Sequence, residues 1–167
     1  MTENPMRKIR IEKVVLNIGC NREKDPTVAA GILEKITGVK TVVTRTHRRT
    51  TFGVAKDRPI GARVTIRKNT EELLKRLFEA VGNKIKKSSI TDGTFSFGVP
   101  EYITIPGIRY DPNIPIMGLD VCVTLKRPGF RVKRKALKRK IGKKHKITKE
   151  ETVEFVRSLG IKIEEDK

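Results

Sequence analysis

Two periodicities divide the chain. Alternation of apolar and polar positions marks strands, because successive strand side chains point to opposite faces. Over residues 9–19 (IRIEKVVLNIG), Val14, Leu16 and Ile18 fall on one side and Asn17 on the other. Ala62, Val64 and Ile66 alternate with Arg63, Thr65 and Arg67. Leu119, Val121, Val123 and Leu125 alternate with Asp120, Cys122 and Thr124 in the clearest strand of the sequence. Residues 42–44 and 95–99 supply shorter strands, and residues 101–105 read as further strand beyond a break at Pro100. Apolar spacings of three and four predict helices instead. Val28, Ala29, Ile32, Leu33 and Ile36 form one stripe, opened by Asp25-Pro26 and stopped by Gly38. Leu73, Leu74, Leu77, Phe78, Val81 and Ile85 form a second, with Asn69 and Glu72 spaced as a capping box and Lys75, Lys84, Lys86 and Lys87 on the solvated side. Val153, Val156 and Leu159 form a third, opened by a Thr148–Glu151 capping box and ended by Gly160, with a short strand or tail beyond.

Residues 41–68 organise the rest. They read as two strands joined by a long basic tip over residues 45–61. The tip carries Arg45, His47, Arg48, Arg49, Lys56 and Arg58 against a single acid, Asp57, and Gly53, Pro59 and Gly61 punctuate it. A connection this long is more often functional than passive. The apolar side of the returning strand must be buried. Its opposite side is then a platform of Arg and Thr, suited to phosphates and hydroxyls. Asn17 fits a contact on that same platform or a strand-end turn, and the residues alone leave both open.

Charge sharpens the picture. The 167 residues hold 38 Lys and Arg against 19 Asp and Glu, a net charge of +19, with a pI of about 10.3. Such an excess implies a polyanionic partner, nucleic acid ahead of an anionic membrane surface. Residues 126–146 contain twelve Lys or Arg and no acid. A segment this one-sided repels itself and is expected to order only when phosphates neutralise it. Its candidate contacts are Arg131, Lys133, Arg134, Lys135, Lys138, Arg139, Lys140, Lys143 and Lys144. No apolar run approaches the roughly 18 residues of a membrane span, and residues 1–10 (MTENPMRKIR) lack an apolar stretch, so no signal peptide is expected. A single domain over residues 1–167 is expected.

Enzymatic chemistry finds no foothold. The two common glycine-rich phosphate loops and the H-E-x-x-H and G-x-S-x-G motifs are missing. Cys20 and Cys122 are isolated, which argues against structural zinc and for a reducing compartment; both read as small half-buried residues. His47 and His145 each sit among cations, where they fit a phosphate contact or a free surface position. The carboxylates suit helix starts and the C-terminal tail. No cofactor, metal or catalytic residue is predicted. The proline-rich loop over residues 106–115, with Tyr110, Ile114 and Ile116 nearby, fits a packed connection or a protein-contact surface.

Several strings together resemble the fifth large-subunit ribosomal protein, the universal family that binds 5S rRNA. They are IEKVVLNIG, ITGVKTVVTRT, FGVAKDRPIGARVTIR, SFGVPEYITIPGIRYDPNIPIMGLDV, and RPGFRVKRK with IGKKHKITKEE. The resemblance runs from about Ile9 to Ile163. The RPGF and KKHKIT strings resemble the archaeal and eukaryotic branch, and without a eukaryotic-style extension the archaeal type is expected. The resemblance implies an α+β fold: an antiparallel sheet with helices packed on one face, the other face open for RNA, and a long basic β-hairpin tip. It implies a structural constituent of the large ribosomal subunit, in the cytoplasm, that anchors 5S rRNA in the central protuberance. Asn17, Thr44 and Thr65 would be sheet-face contacts to 5S rRNA, with Lys40, Arg63 and Arg67 as cationic neighbours. The 45–61 tip would approach P-site tRNA, and residues 126–146 would bind large-subunit rRNA. Residues 108–117 would face a small-subunit head protein across an intersubunit bridge, and other central-protuberance proteins would be neighbours. One position departs: many family members carry Gln where this chain has Val39. The rival readings are a sequence-tolerant architectural DNA binder and an RNA-modifying enzyme; competition with duplex DNA and a cofactor-binding assay separate them.

Overall fold

A computed structural model describes residues 4–20, 24–49, 51, 53–112, 114–137 and 139–164. Its centre is β1 (Arg10–Gly19), in which Val14, Leu16 and Ile18 are fully buried. β1 pairs antiparallel with β3 (Pro59–Ile66) on one side and β7 (Leu119–Lys126) on the other. β2 (Val42–Arg45) extends the sheet beyond β3, and β6 (Thr94–Val99) and β5 (Ile90–Thr91) extend it beyond β7. The order is β2-β3-β1-β7-β6-β5, antiparallel throughout. The expected alternation holds: Val14, Leu16 and Ile18 of β1, Ala62, Val64 and Ile66 of β3 and Leu119, Val121, Val123 and Leu125 of β7 are in the core, while Asn17, Arg63, Thr65, Asp120, Cys122 and Thr124 face away; Glu12 is buried and Ile60 exposed.

Three helices cover the apolar side. α1 (Pro26–Thr37) begins where the Asp25 carboxylate accepts the Thr27 N–H and ends at a left-handed Gly38. Its stripe of Ala29, Ile32, Leu33 and Ile36 is buried. Thr41 ties α1 to β2: its N–H and hydroxyl reach the Glu34 carboxylate at 3.0 and 3.2 Å. α2 (Thr70–Ala80) buries Leu73, Leu74, Leu77 and Phe78, and Phe78 stacks on Phe97 of β6 with ring centroids 4.8 Å apart. α3 (Lys149–Ser158) opens with the expected box, since the Thr148 hydroxyl accepts from Glu151 and the Glu151 carboxylate accepts from the Thr148 N–H.

Several expectations need correction. Asn69 does not cap α2 through its side chain; it adopts a left-handed backbone (φ 49°), not the extended one an N-cap hydroxyl or amide needs to reach the first turn. Val81, Ile85 and the lysines at 84, 86 and 87 lie outside α2, and Lys87 opens a 3-10 turn (Lys87–Ser89). Gly82 and Asn83, both at positive φ, stop α2, and β4 (Lys84–Lys86) then pairs parallel with β8 (Lys162–Glu164). Residues 101–105 are not a strand. Pro100 is followed by a 3-10 turn (Tyr102–Thr104), and the Tyr102 N–H goes to the Met117 carbonyl, so Tyr102 and Ile105 reach the core at a spacing of three. In α3 the buried face is Thr152 and Val156, while Leu159 is exposed. Cys122 is exposed on the open side of the sheet, not half-buried; Cys20 is half-buried.

Candidate nucleic-acid interface

The side of the sheet away from the helices has no element packed on it among the described residues. Strand register places its side chains in rows. Arg63, Asn17 and Asp120 stand side by side across β3, β1 and β7, with Val42 outside Arg63 and Gly98 outside Asp120. The next row is Thr65, Val15, Cys122 and Ser96, and the one after it Lys13, Thr124 and Thr94. In the other direction Thr44, Gly61 and Gly19 make a row with one small side chain. Gly61 is required there: a Cβ on it would meet the Ile18 carbonyl oxygen.

Asn17, Thr44 and Thr65 are half-buried and Arg63 is exposed, so none is sealed beneath a helix. Arg67 follows β3 and is exposed; Lys40 is exposed just before β2. Val39 is exposed as well. Sequence reasoning omitted Asp120, Lys13 and Ser96 from the site. Alternation already turned Asp120 outward, but only the β1–β7 register sets it against Asn17. Partial burial, and then the Asp120 carboxylate, push the Cys122 thiol up from its ordinary value, so it is an uncharged member of the surface.

The hairpin pairs further than expected. Arg45 pairs with Pro59 after a register shift, and Thr46 closes the next rung: its N–H goes to the Arg58 carbonyl at 2.9 Å and its hydroxyl to the Ala55 carbonyl at 2.6 Å. Arg45, His47, Arg48, Arg49 and Lys56 are exposed beyond or at this rung, and Arg58 is half-buried.

The 126–146 segment is tied to the rest of the chain at both ends. Arg127 is 3% exposed. Its Nε donates to the Arg7 carbonyl at 3.1 Å, Nη1 to the His145 and Lys146 carbonyls at 3.4 and 3.2 Å, and Nη2 to the Glu151 carboxylate at 2.6 Å. The cation is therefore internal, and one-sided charge gave no sign of this. His145 is structural too: Nε2 lies 2.9 Å from the Pro128 carbonyl, and its ring meets Phe130 edge-on at 5.6 Å. Burial alone would push the Glu151 carboxyl up; the Thr148 N–H and the Arg127 guanidinium outweigh it and hold it below its ordinary value. Between the anchors, Arg131, Lys133, Arg134, Lys135, Arg139, Lys140, Lys143 and Lys144 are exposed, and Arg134 pairs with the buried Glu12. Lys138 lies outside the described residues.

Among the described residues no His, Cys, Asp and Glu cluster could hold a metal ion. No described helix is long and apolar enough to cross a membrane. An uncovered polar sheet face flanked by cationic segments offers hydrogen-bonding groups beside positive charge. Residues 4–52 match the family model described as ribosomal protein L5, and residues 59–157 match that of the ribosomal L5P family C-terminus.

The chain belongs to the ribosomal protein L5 family. Relatives named large ribosomal subunit protein uL5 agree. That of Sulfurisphaera tokodaii is 49% identical over 164 residues, covering 93% of this chain and 92% of the relative. That of Nanoarchaeum equitans is 46% identical, covering 96% and 99%. That of Cenarchaeum symbiosum is 48% identical, covering 95% and 97%. All three are archaeal, in keeping with the archaeal type. Members of the L5 family are structural, non-enzymatic components.

Proposed function

We propose that this L5-family chain is a structural constituent of the large ribosomal subunit in the cytoplasm, and that its open sheet face binds 5S rRNA and anchors it in the central protuberance. The observation that carries this reading is the uncovered face itself. Asn17, Thr44 and Thr65 offer groups for 2′-hydroxyls and base edges, while Arg63, Arg67, Lys13 and Lys40 supply charge for phosphates. RNA recognition relies on this combination of shape, hydroxyl contacts and unstacked bases. Phosphate contacts position the RNA and base-edge contacts fix register.

The other surfaces take separate roles. The exposed cations of the 126–146 segment bind large-subunit rRNA. The tip cations Arg45, His47, Arg48, Arg49, Lys56 and Arg58 approach P-site tRNA. Residues 108–117, which include the exposed Tyr110 and Ile116, face a small-subunit head protein in an intersubunit bridge. Other central-protuberance proteins adjoin the chain.

Filter binding of 5S rRNA tests the division. Asn17→Ala with Thr65→Ala weakens isolated 5S rRNA binding, while Arg48→Ala with Arg49→Ala leaves it largely intact and disturbs tRNA placement. Wild-type affinity falls with salt at a log–log slope of roughly 0.7 to 0.9 per neutralised phosphate. Equal loss of 5S rRNA binding in both variants, a flat salt dependence, or equal competition by duplex DNA overturns the reading.

A further inference from the structure

The open face continues, at the end away from the hairpin, into a cleft of about 600 Å³. Arg10 and Lys126 stand opposite one another in the last rung of β1 and β7 and form its floor. The chain then reverses at Pro128-Gly129, with Gly129 at φ 91°, and lays Phe130, Arg131 and Lys135 along the opposite wall. Gly129 allows that reversal because a side chain is strained at this φ.

Its charge is unbalanced in a particular way. Two of its cations are spoken for: Arg127 by Glu151 and Arg134 by Glu12. Arg10, Lys126, Arg131 and Lys135 have no carboxylate partner among the described residues. Four unmatched cations around a concavity repel one another until an anion enters. A phosphate alone would leave most of the volume unused, and the cleft falls within the roughly 300–1,000 Å³ typical of sites for small organic groups. Phe130 adds what a bare anion site lacks, an aromatic ring in the wall of a basic groove. Stacking on such a ring is how bases are held without sequence preference.

We infer that this cleft holds a nucleoside phosphate unit, and specifically one nucleotide unstacked from an RNA strand that leaves the open sheet face: its phosphate lies between Arg10 and Lys126 and its base against Phe130. The inference rests on the RNA-platform reading above and adds a subsite to it. The path favours a strand over a free nucleotide, because the floor of the cleft is the last rung of the face that carries Lys13, Asn17 and Arg63.

Amide chemical-shift mapping on the full chain tests it with four probes: inorganic phosphate, a ribonucleoside 5′-monophosphate, a single-stranded hexaribonucleotide and a blunt RNA duplex. The hexaribonucleotide is expected to shift Arg10, Lys126 and Phe130 together, and to bind about tenfold less tightly to Phe130→Leu, given the worth of one stacked base. Phe130→Tyr keeps the ring and wild-type affinity, which separates lost stacking from disturbed folding. Wild-type affinity in Phe130→Leu, or equal shifts with the duplex, overturns the inference. A monophosphate that binds as tightly as the hexaribonucleotide overturns the strand as occupant. Retained 5S rRNA binding with a silent cleft sinks this subsite alone. Loss of 5S rRNA binding with the hexaribonucleotide still seated on Phe130 sinks the 5S reading and keeps the subsite.

Discussion

Replacing Arg127 by Met keeps the aliphatic stem and removes the guanidinium. Four hydrogen bonds go with it, from the 3-10 turn at Pro5–Arg7, from the end of the basic segment and from the start of α3. Removing one partner of a buried ion pair costs about 3–5 kcal/mol, because the other charge is left desolvated. The Glu151 side chain is 32% exposed, so water recovers part of that loss, and the lower end, about 3 kcal/mol, applies. For a chain of this length each kcal/mol moves Tm by roughly 2–4 °C, so Arg127→Met is expected to melt roughly 6–12 °C lower. Thermal unfolding by circular dichroism reads this directly. The single substitution Glu151→Gln and the double variant complete a cycle. If the two groups act mainly on each other, the double variant is less destabilised than the two single losses added together. Limited trypsin digestion should also cut residues 128–145 faster in Arg127→Met, because the segment loses its tether. A Tm loss under roughly 2 °C, or strict additivity in the cycle, refutes the clamp.

Three further outcomes follow from the same geometry. The Glu151 carboxyl is held below its ordinary 4.5, so the stability it confers is present above about that pH and is lost as pH falls through the lowered folded value. A Tm–pH curve should be flat from neutrality to about pH 5 and fall below it, with a shallower fall in Glu151→Gln; Asp25 and Glu34, also lowered, keep that variant from being flat. The fully buried Thr152 hydroxyl accepts from the Gly93 N–H at 3.0 Å and donates to the Thr148 carbonyl at 2.9 Å. Thr152→Val strands that buried N–H and should cost about 1–3 kcal/mol in urea unfolding. Cys122 is exposed in the middle of the open face, so under the proposed function a maleimide adduct there in a Cys20→Ser background should block 5S rRNA binding without changing Tm; unimpaired binding would refute this face as the RNA site.

Much of this arrangement could be read from the residues because single side chains announce it locally. Alternation in β1, β3 and β7 separates core from platform without reference to any partner strand. Asp25-Pro26, Gly38 and the Thr148–Glu151 pair mark helix ends because caps are local. What stayed hidden depends on contacts distant in sequence. Nothing near Arg127 distinguishes it from its neighbours; its burial follows from Arg7, 120 residues away, and from Glu151. The capping box exposed one oxygen of Glu151 to view and left the other unassigned. Ile85 continued the apolar spacing of α2, yet the positive-φ pair Gly82-Asn83 ended the helix and passed Ile85 to a strand whose partner lies at the other end of the chain. Register likewise decides that Asp120 stands beside Asn17.

The six-stranded sheet finishes on its smallest members. β2 has four residues and β5 two, and these are the strands that leave backbone donors and acceptors without a neighbour. Long exposed edges recruit strands from other molecules, and short ones give a would-be partner too few hydrogen bonds to hold. The bare surface of the sheet is therefore bounded by margins that offer an incoming strand little purchase, and a variant that lengthened β5 would be expected to self-associate more readily, read by light scattering.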